Sequence, residues 1–235
     1  MIAICAHRGG ALLWPENSLT AFRHALALPI EEVECDVHLS ADGVAMVHHD
    51  AMLDRTTQGT GPIAHRSTAA LEATSLRGLE EGVPRLTALL ELVAASGKLL
   101  RLELKADHEK RHVPALLAAV RADLARFPAA RIRLMAFEPA TLLAAAMPDM
   151  DLLLSPSVMG GHSAASLNAY AAALGCTGVS LGFDMTALAR VLRGIHGVTN
   201  IWRADTAEAL RASLALVPHS ITTDDPVLAL ALRGG

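Results

Sequence analysis

Short apolar runs recur along the chain and alternate with longer stretches rich in alanine and leucine. The runs IAICA (2–6), EVECDV (32–37), LLRLEL (99–104), IRLMAF (132–137), DLLLS (151–155), GVSL (178–181), VTNIW (198–202) and SITT (220–223) read as buried strands. The stretches between them, such as 18–28, 84–96, 113–127 and 206–216, have helical spacing. Ser18 and Asp184 are placed to cap helices, and Pro114 suits a first turn. Strands alternating with helices in this way predict a (β/α)8 TIM barrel, with a doubly wound sheet of similar length as the alternative. No proline- or serine-rich linker, charge block or low-complexity tract divides the chain, so residues 1–235 are expected to form a single domain.

One segment breaks the alternation. Behind the second strand, Ala-Asp-Gly at 41–43 is a turn signal, and VAMVH (44–48) reads as a further strand. Residues 51–83 then read as loop with at most a short helix, which makes about 38–83 a small inserted hairpin and loop subdomain. Gly59, Gly61 and Pro62 mark 51–65 as loop, expected over the open end of the barrel.

The strands also carry charges that a buried sheet does not want. In VECDV, residues 33–37, Glu34 and Asp36 lie two apart and share one face. Glu103 and Lys105 repeat the spacing in LRLELK, while His7-Arg8 follows the first strand and His49-Asp50 closes the inserted hairpin. In a parallel barrel the C-terminal strand ends open on one face, so these residues converge. Burying unpaired carboxylates side by side is costly. Either a hard cation sits among Glu34, Asp36 and Glu103, or Arg8, Arg101 or Lys105 neutralises them. Oxygen ligands suit Mg²⁺, Mn²⁺ or Ca²⁺ better than Zn²⁺. His7 and His49, next to that cluster, suit an acid and a base near neutral pH. Arg8 and Lys105 suit an anion, most naturally phosphate. His24, His65, His108, His112, His162, His196 and His219 read as ordinary surface or core residues.

Composition narrows the setting. The chain is 52% hydrophobic with a formal charge of -4, which gives no support to nucleic-acid or anionic-membrane binding. Its apolar runs are too short for a transmembrane helix, and MIAICAHRGG lacks the layout of an export signal. Cys5, Cys35 and Cys176 are an odd number without close pairs, expected to be core residues in a reducing, cytoplasmic compartment.

Taken in order, the motifs resemble those of the glycerophosphodiester phosphodiesterases over nearly the whole chain. AHRGG and PENS are similar to that family's opening His-Arg-Gly and Glu-Asn-Thr, and VECDV to its Glu-x-Asp. HHDAMLDRTTQGTG, LELK and TTDDP resemble its later motifs, with VPRLTALLEL a partial match to Pro-Thr-Leu. Two departures lie around the substrate: Ala136-Phe137 where Ser-Phe is common, and WRAD (202–205) where Trp-Thr-Val-Asn is common.

The resemblance implies a barrel that hydrolyses small glycerophosphodiesters to sn-glycerol 3-phosphate and an alcohol, by water or through a cyclic phosphate. It implies one divalent cation, Mg²⁺ or Ca²⁺, with Mn²⁺ as a further candidate, on Glu34, Asp36 and Glu103. It implies His7 and His49 as the acid–base pair, Arg8 and Lys105 on the phosphate, Glu16 and Asn17 in support, and Phe137 and Trp202 as pocket walls. Alternatives are lysophospholipid cleavage in the manner of sphingomyelinase D, and a non-catalytic sugar-phosphate-binding barrel. A metal amidohydrolase is disfavoured by His-Arg in place of His-x-His on the first strand. Strict strand alternation sends Arg203 away from the pocket, over a helix or onto Asp205. If the strand ends at Trp202, Arg203 instead reaches the rim and disfavours a choline leaving group.

Overall fold

The computed structural model describes residues 1–105 and 113–234. His108 and His112 lie outside the described residues. Eight parallel strands form the barrel: β1 (Ala3–Ala6), β2 (Glu32–Leu39), β4 (Leu99–Leu104), β5 (Arg131–Ala136), β6 (Met150–Leu154), β7 (Gly178–Gly182), β8 (Val198–Trp202) and β9 (Ser220–Thr223). β1 pairs with β9 on one side and with β2 on the other, which closes the sheet. A ninth strand, β3 (Ala45–Val47), pairs antiparallel with the end of β2. The expected barrel and inserted hairpin are therefore both present, and the doubly wound alternative is excluded by the closure.

Helices return the chain between strands: α1 (Leu19–Ala27), α2 (Thr68–Glu72), α3 (Leu86–Ser96), α4 (Val113–Arg126), α5 (Pro139–Ala145), α6 (Pro156–Met159), α7 (Ala164–Ala173), α8 (Met185–Val191), α9 (Ala207–Ala215) and α10 (Pro226–Gly234). Ser18 and Asp184 cap α1 and α8 by accepting from the N–H groups of Ala21 and Ala187. Val33, Cys35 and Val37 join the apolar layer between strands and helices.

The barrel interior is polar from its base upward. Arg101 is fully buried there. It donates to Glu32 at 2.5 Å, to Asp151 at 2.5 Å and to Ser220 at 2.9 Å, and Arg133 reaches the other Asp151 oxygen at 2.7 Å. Arg101 therefore neutralises the acids of this lower layer. It is level with Glu34 in the strand register, yet its guanidinium bonds go to Glu32, Asp151 and Ser220 and not to Glu34, Asp36 or Glu103.

The insertion has a core of its own. Met46, Leu53, Ile63, Leu71, Leu76 and Val83 are buried together, apart from the main core. Residues 51–62 run as loop without a regular helix, and Ile63–His65 make one 3-10 turn.

Candidate active site

The HRGG loop behind β1 is built for close approach. Arg8 sits in the left-handed region at φ 51, as does Asn17 at φ 56. Such backbone is strained for a side chain-bearing residue and is characteristic of functional sites. Here it turns the Arg8 N–H onto Glu34 Oε2, at 3.0 Å. Gly9 has φ 82, and a Cβ there would lie 2.9 Å from the Ala21 Cβ, so no side chain fits between the loop and α1.

Glu34, Asp36 and Glu103 come together as strand parity predicts. Each offers an oxygen within 4.8 Å of the others, and all three are buried. Lys105 Nζ lies 2.6 Å from Glu103 Oε1 and 3.1 Å from Asp36 Oδ1. Arg8 Nε lies 3.3 Å from Asp36 Oδ2, and Asn17 Nδ2 donates to that oxygen at 2.9 Å. Burial alone would raise Asp36, but Lys105 and Arg8 outweigh it and hold the carboxyl below its ordinary range. Glu34 has a main-chain N–H and the His7 Nε2 at 3.8 Å as partners, and burial pushes it well above the ordinary glutamate value. Burial also raises Glu103, to about 7.

These observations fit a divalent cation. With all three carboxylates ionised, Arg8 and Lys105 leave the cluster one positive charge short. Asn17 Oδ1 is also buried without a hydrogen-bond partner among the described residues. The donor set is all oxygen, which suits a hard ion.

The two imidazoles lie at the same cavity, of about 400 Å³, which Arg8, Lys105, Phe137 and Trp202 also line. His7 Nδ1 is 2.5 Å from Asp224 Oδ1, and His49 Nδ1 is 2.5 Å from Asp50 Oδ1. Arg55 donates to Asp50 at 2.7 Å and to Glu16 at 2.8 Å, and Glu16 also accepts from Arg8 at 2.9 Å. Arg55 thus ties the 51–65 loop to the open end of the barrel, where the sequence places it. Phe137 and Trp202 meet edge to face, with centroids 5.5 Å apart. Behind them Asn200 donates to Ser180 and accepts from Thr222, so the cavity floor is polar.

Arg203 joins what the sequence holds apart. It lines the cavity, and it also pairs with Asp205 at 2.9 Å and with Asp224 at 2.8 Å. Strand β8 ends at Trp202, so alternation no longer governs the next side chain.

Three contributors escaped the sequence reading. Asp224 was read only as part of a motif. His38 and His48 are buried and donate to the main-chain carbonyls of His49 at 3.0 Å and of Asp50 at 2.7 Å. Burial pushes His38 down to about 4, so it stays a neutral donor. His48 opens the HHD motif, which was the available signal for it, whereas His38 on β2 had none. Among the bland histidines, His24 stacks on Trp14 at 5.1 Å and His219 accepts from the Thr199 N–H at 3.1 Å. Cys5, Cys35 and Cys176 are free thiols, the first two buried.

Fold and cleft together define a TIM barrel of the phosphodiesterase class. The model of the Glycerophosphoryl diester phosphodiesterase family matches residues 7–228, and the chain belongs to that family. A crystal structure from Agrobacterium tumefaciens bearing the same family name is similar at 30% identity and a TM-score of 0.90, over 100% of this chain and 98% of that one. An Oleispira antarctica phosphodiesterase in complex with its product sn-glycerol-3-phosphate has the same fold at 23% identity and a TM-score of 0.86, over 99% and 97% of the two chains. A glycerophosphodiester phosphodiesterase of Caldanaerobacter subterraneus subsp. tengcongensis is 32% identical over 109 residues, 43% of this chain and 44% of that protein. The matched stretch thus spans less than half of that relative's length. Among the described residues no helix is long and apolar enough to cross a membrane.

Proposed function

We propose that the protein hydrolyses small glycerophosphodiesters to sn-glycerol 3-phosphate and an alcohol, with a divalent cation on Glu34, Asp36 and Glu103. The observation that carries this is the pairing of a buried, under-neutralised carboxylate cluster with two imidazoles, each held at Nδ1 by a carboxylate. The product bound by the Oleispira protein supports the choice of ester.

Charge sets the problem. A phosphodiester is an anion, and the cluster already carries one negative charge more than Arg8 and Lys105 cancel. A divalent ion balances both charges and, when bound, stabilises the charge that builds on phosphoryl oxygens. Arg8 and Lys105 hold phosphate oxygens. Asp224 and Asp50 accept from the Nδ1–H groups, so each imidazole keeps Nε2 for the substrate. One Nε2 takes the proton of the attacking hydroxyl, and the other gives a proton to the leaving alcohol. Each transfer is typically worth ~10²–10⁴-fold. Burial lowers His49, which keeps it neutral and ready to accept a proton at pH 7. Phe137 and Trp202 wall the alcohol side, and Glu16 and Asn17 hold Arg8 and Asp36 in place.

The test is release of choline and sn-glycerol 3-phosphate from glycerophosphocholine with Mg²⁺, repeated with EDTA, beside release of choline from lysophosphatidylcholine. Metal-dependent turnover of the small diester is expected. Turnover confined to the lysolipid would establish the sphingomyelinase D-like alternative, and binding without turnover the non-catalytic one.

A further inference from the structure

Each imidazole is held by a carboxylate, and each of those carboxylates is held in turn by an arginine. On the insertion side Arg55 Nε donates to Asp50 Oδ2 at 2.7 Å while Asp50 Oδ1 takes His49 Nδ1. Across the cavity Arg203 Nη1 lies 2.8 Å from Asp224 Oδ2 while Asp224 Oδ1 takes His7 Nδ1. Asp205 completes the second arrangement. Its Oδ2 lies 2.9 Å from Arg203 Nε, and its Oδ1 accepts the Asp224 backbone N–H at 2.8 Å. Asp224 is therefore fixed at its main chain by Asp205 and at its side chain by Arg203. Arg203 and Asp205 stand where the resembling motif carries Thr and Asn, so this brace belongs to this chain's own sequence.

We propose that Arg203, seated on Asp205, is a positioning residue that orients Asp224 and through it His7. The inference rests on the hydrolytic reading of the site. It differs from the expectation that Arg203 selects the leaving alcohol by charge. One guanidinium between two carboxylates presents no net positive charge to a head group, so it does not turn choline away by charge. What the guanidinium supplies is geometry: a fork that holds one carboxylate oxygen and leaves the other for the imidazole. An Asp224 free to rotate would share its oxygens with solvent and release the His7 ring.

The test compares wild type with R203T on glycerophosphocholine, glycerophosphoserine and glycerophosphoglycerol, in saturating Mg²⁺. The Arg203 side chain is 47% exposed, so the substitution leaves the fold intact, checked by an unchanged thermal melt. Loss of a partner that orients a working histidine typically costs roughly 10- to 100-fold in activity. That loss is expected in kcat for all three esters alike, with KM and the ratios between esters unchanged. A second readout needs no turnover. The buried His7–Asp224 hydrogen bond should give a slowly exchanging imidazole Nδ1–H proton resonance, absent in an H7Q control and lost or exchange-broadened in R203T. Wild-type kcat with an intact resonance in R203T overturns the proposal. So does a change in the head-group ratios with kcat on glycerophosphoglycerol preserved. If wild type itself turns over none of the esters, the hydrolytic reading fails, and the resonance alone decides whether Arg203 orders His7.

Discussion

Glu34 is the residue whose environment asks most for something else to be present. It is buried, its neighbours Asp36 and Glu103 are acids, and its own partners are a peptide N–H and an imidazole. E34Q keeps the shape and removes the charge. In EDTA the variant should melt no lower than wild type, because it replaces a carboxyl whose charged form burial already disfavours with a neutral group of the same shape. Mg²⁺ at about a hundred times its Kd should raise the wild-type Tm by roughly 5–10 °C and leave E34Q unmoved. An equal metal-induced rise in both would remove Glu34 from the cation site. H7A and H49A should each lower kcat by roughly a hundredfold or more, and the double variant by less than the product of the two. Wild-type turnover in either single variant would make that histidine structural. The two histidines, the three acids and Lys105 were legible because strand parity and strand ends are local properties. Asp224 was not, because its partner is 217 residues away in the chain and is met through barrel closure. His38 and His48 escaped for another reason: a histidine that holds a neighbour's carbonyl leaves no periodic trace.

At the scale of elements, the inserted segment was recognised from a turn signal and a short apolar run, but its degree of order was not. Leu53, Ile63, Leu71 and Leu76 are scattered among polar residues without a period, and they gather only when the chain folds back on β3. Asp42 at the hairpin turn pins that fold. It accepts from the Thr68 N–H at 2.8 Å, the Thr68 hydroxyl at 2.7 Å and the Ser40 hydroxyl at 2.8 Å. These bonds lower its carboxyl to about 2, the Thr68 hydroxyl contributing most. A carboxyl depressed by folding adds stability above its unfolded value of about 3.9, and that stability is lost as pH falls through the folded value. D42N should therefore melt below wild type at pH 7, and the gap should close between about pH 4 and 2. A gap independent of pH would show that shape, not charge, holds the turn.

For the whole molecule, the base of the barrel matters as much as its mouth. Arg101 joins β2, β6 and β9 through Glu32, Asp151 and Ser220, with no exposure to solvent. Its removal strands buried carboxylates, a change that typically costs about 3–5 kcal/mol. R101M should lower the urea midpoint accordingly, with Tm down by roughly 6–20 °C. A variant as stable as wild type would mean that the lower layer repacks without its ion pairs. The closed barrel was legible from alternation, whereas this buried ionic floor read only as isolated charges on strands.

The seam between first and last strands has a bearing on biosynthesis. His7 leaves the ribosome early, just behind β1, and its carboxylate partner arrives only behind β9. Until then β1 lacks one of its two neighbours, and the nascent sheet exposes edges at both β1 and β8. A truncated or stalled chain is thus both unbraced at His7 and prone to pair with other chains. The hydrolytic centre comes into being only as the cylinder shuts, so an unfinished copy is silent.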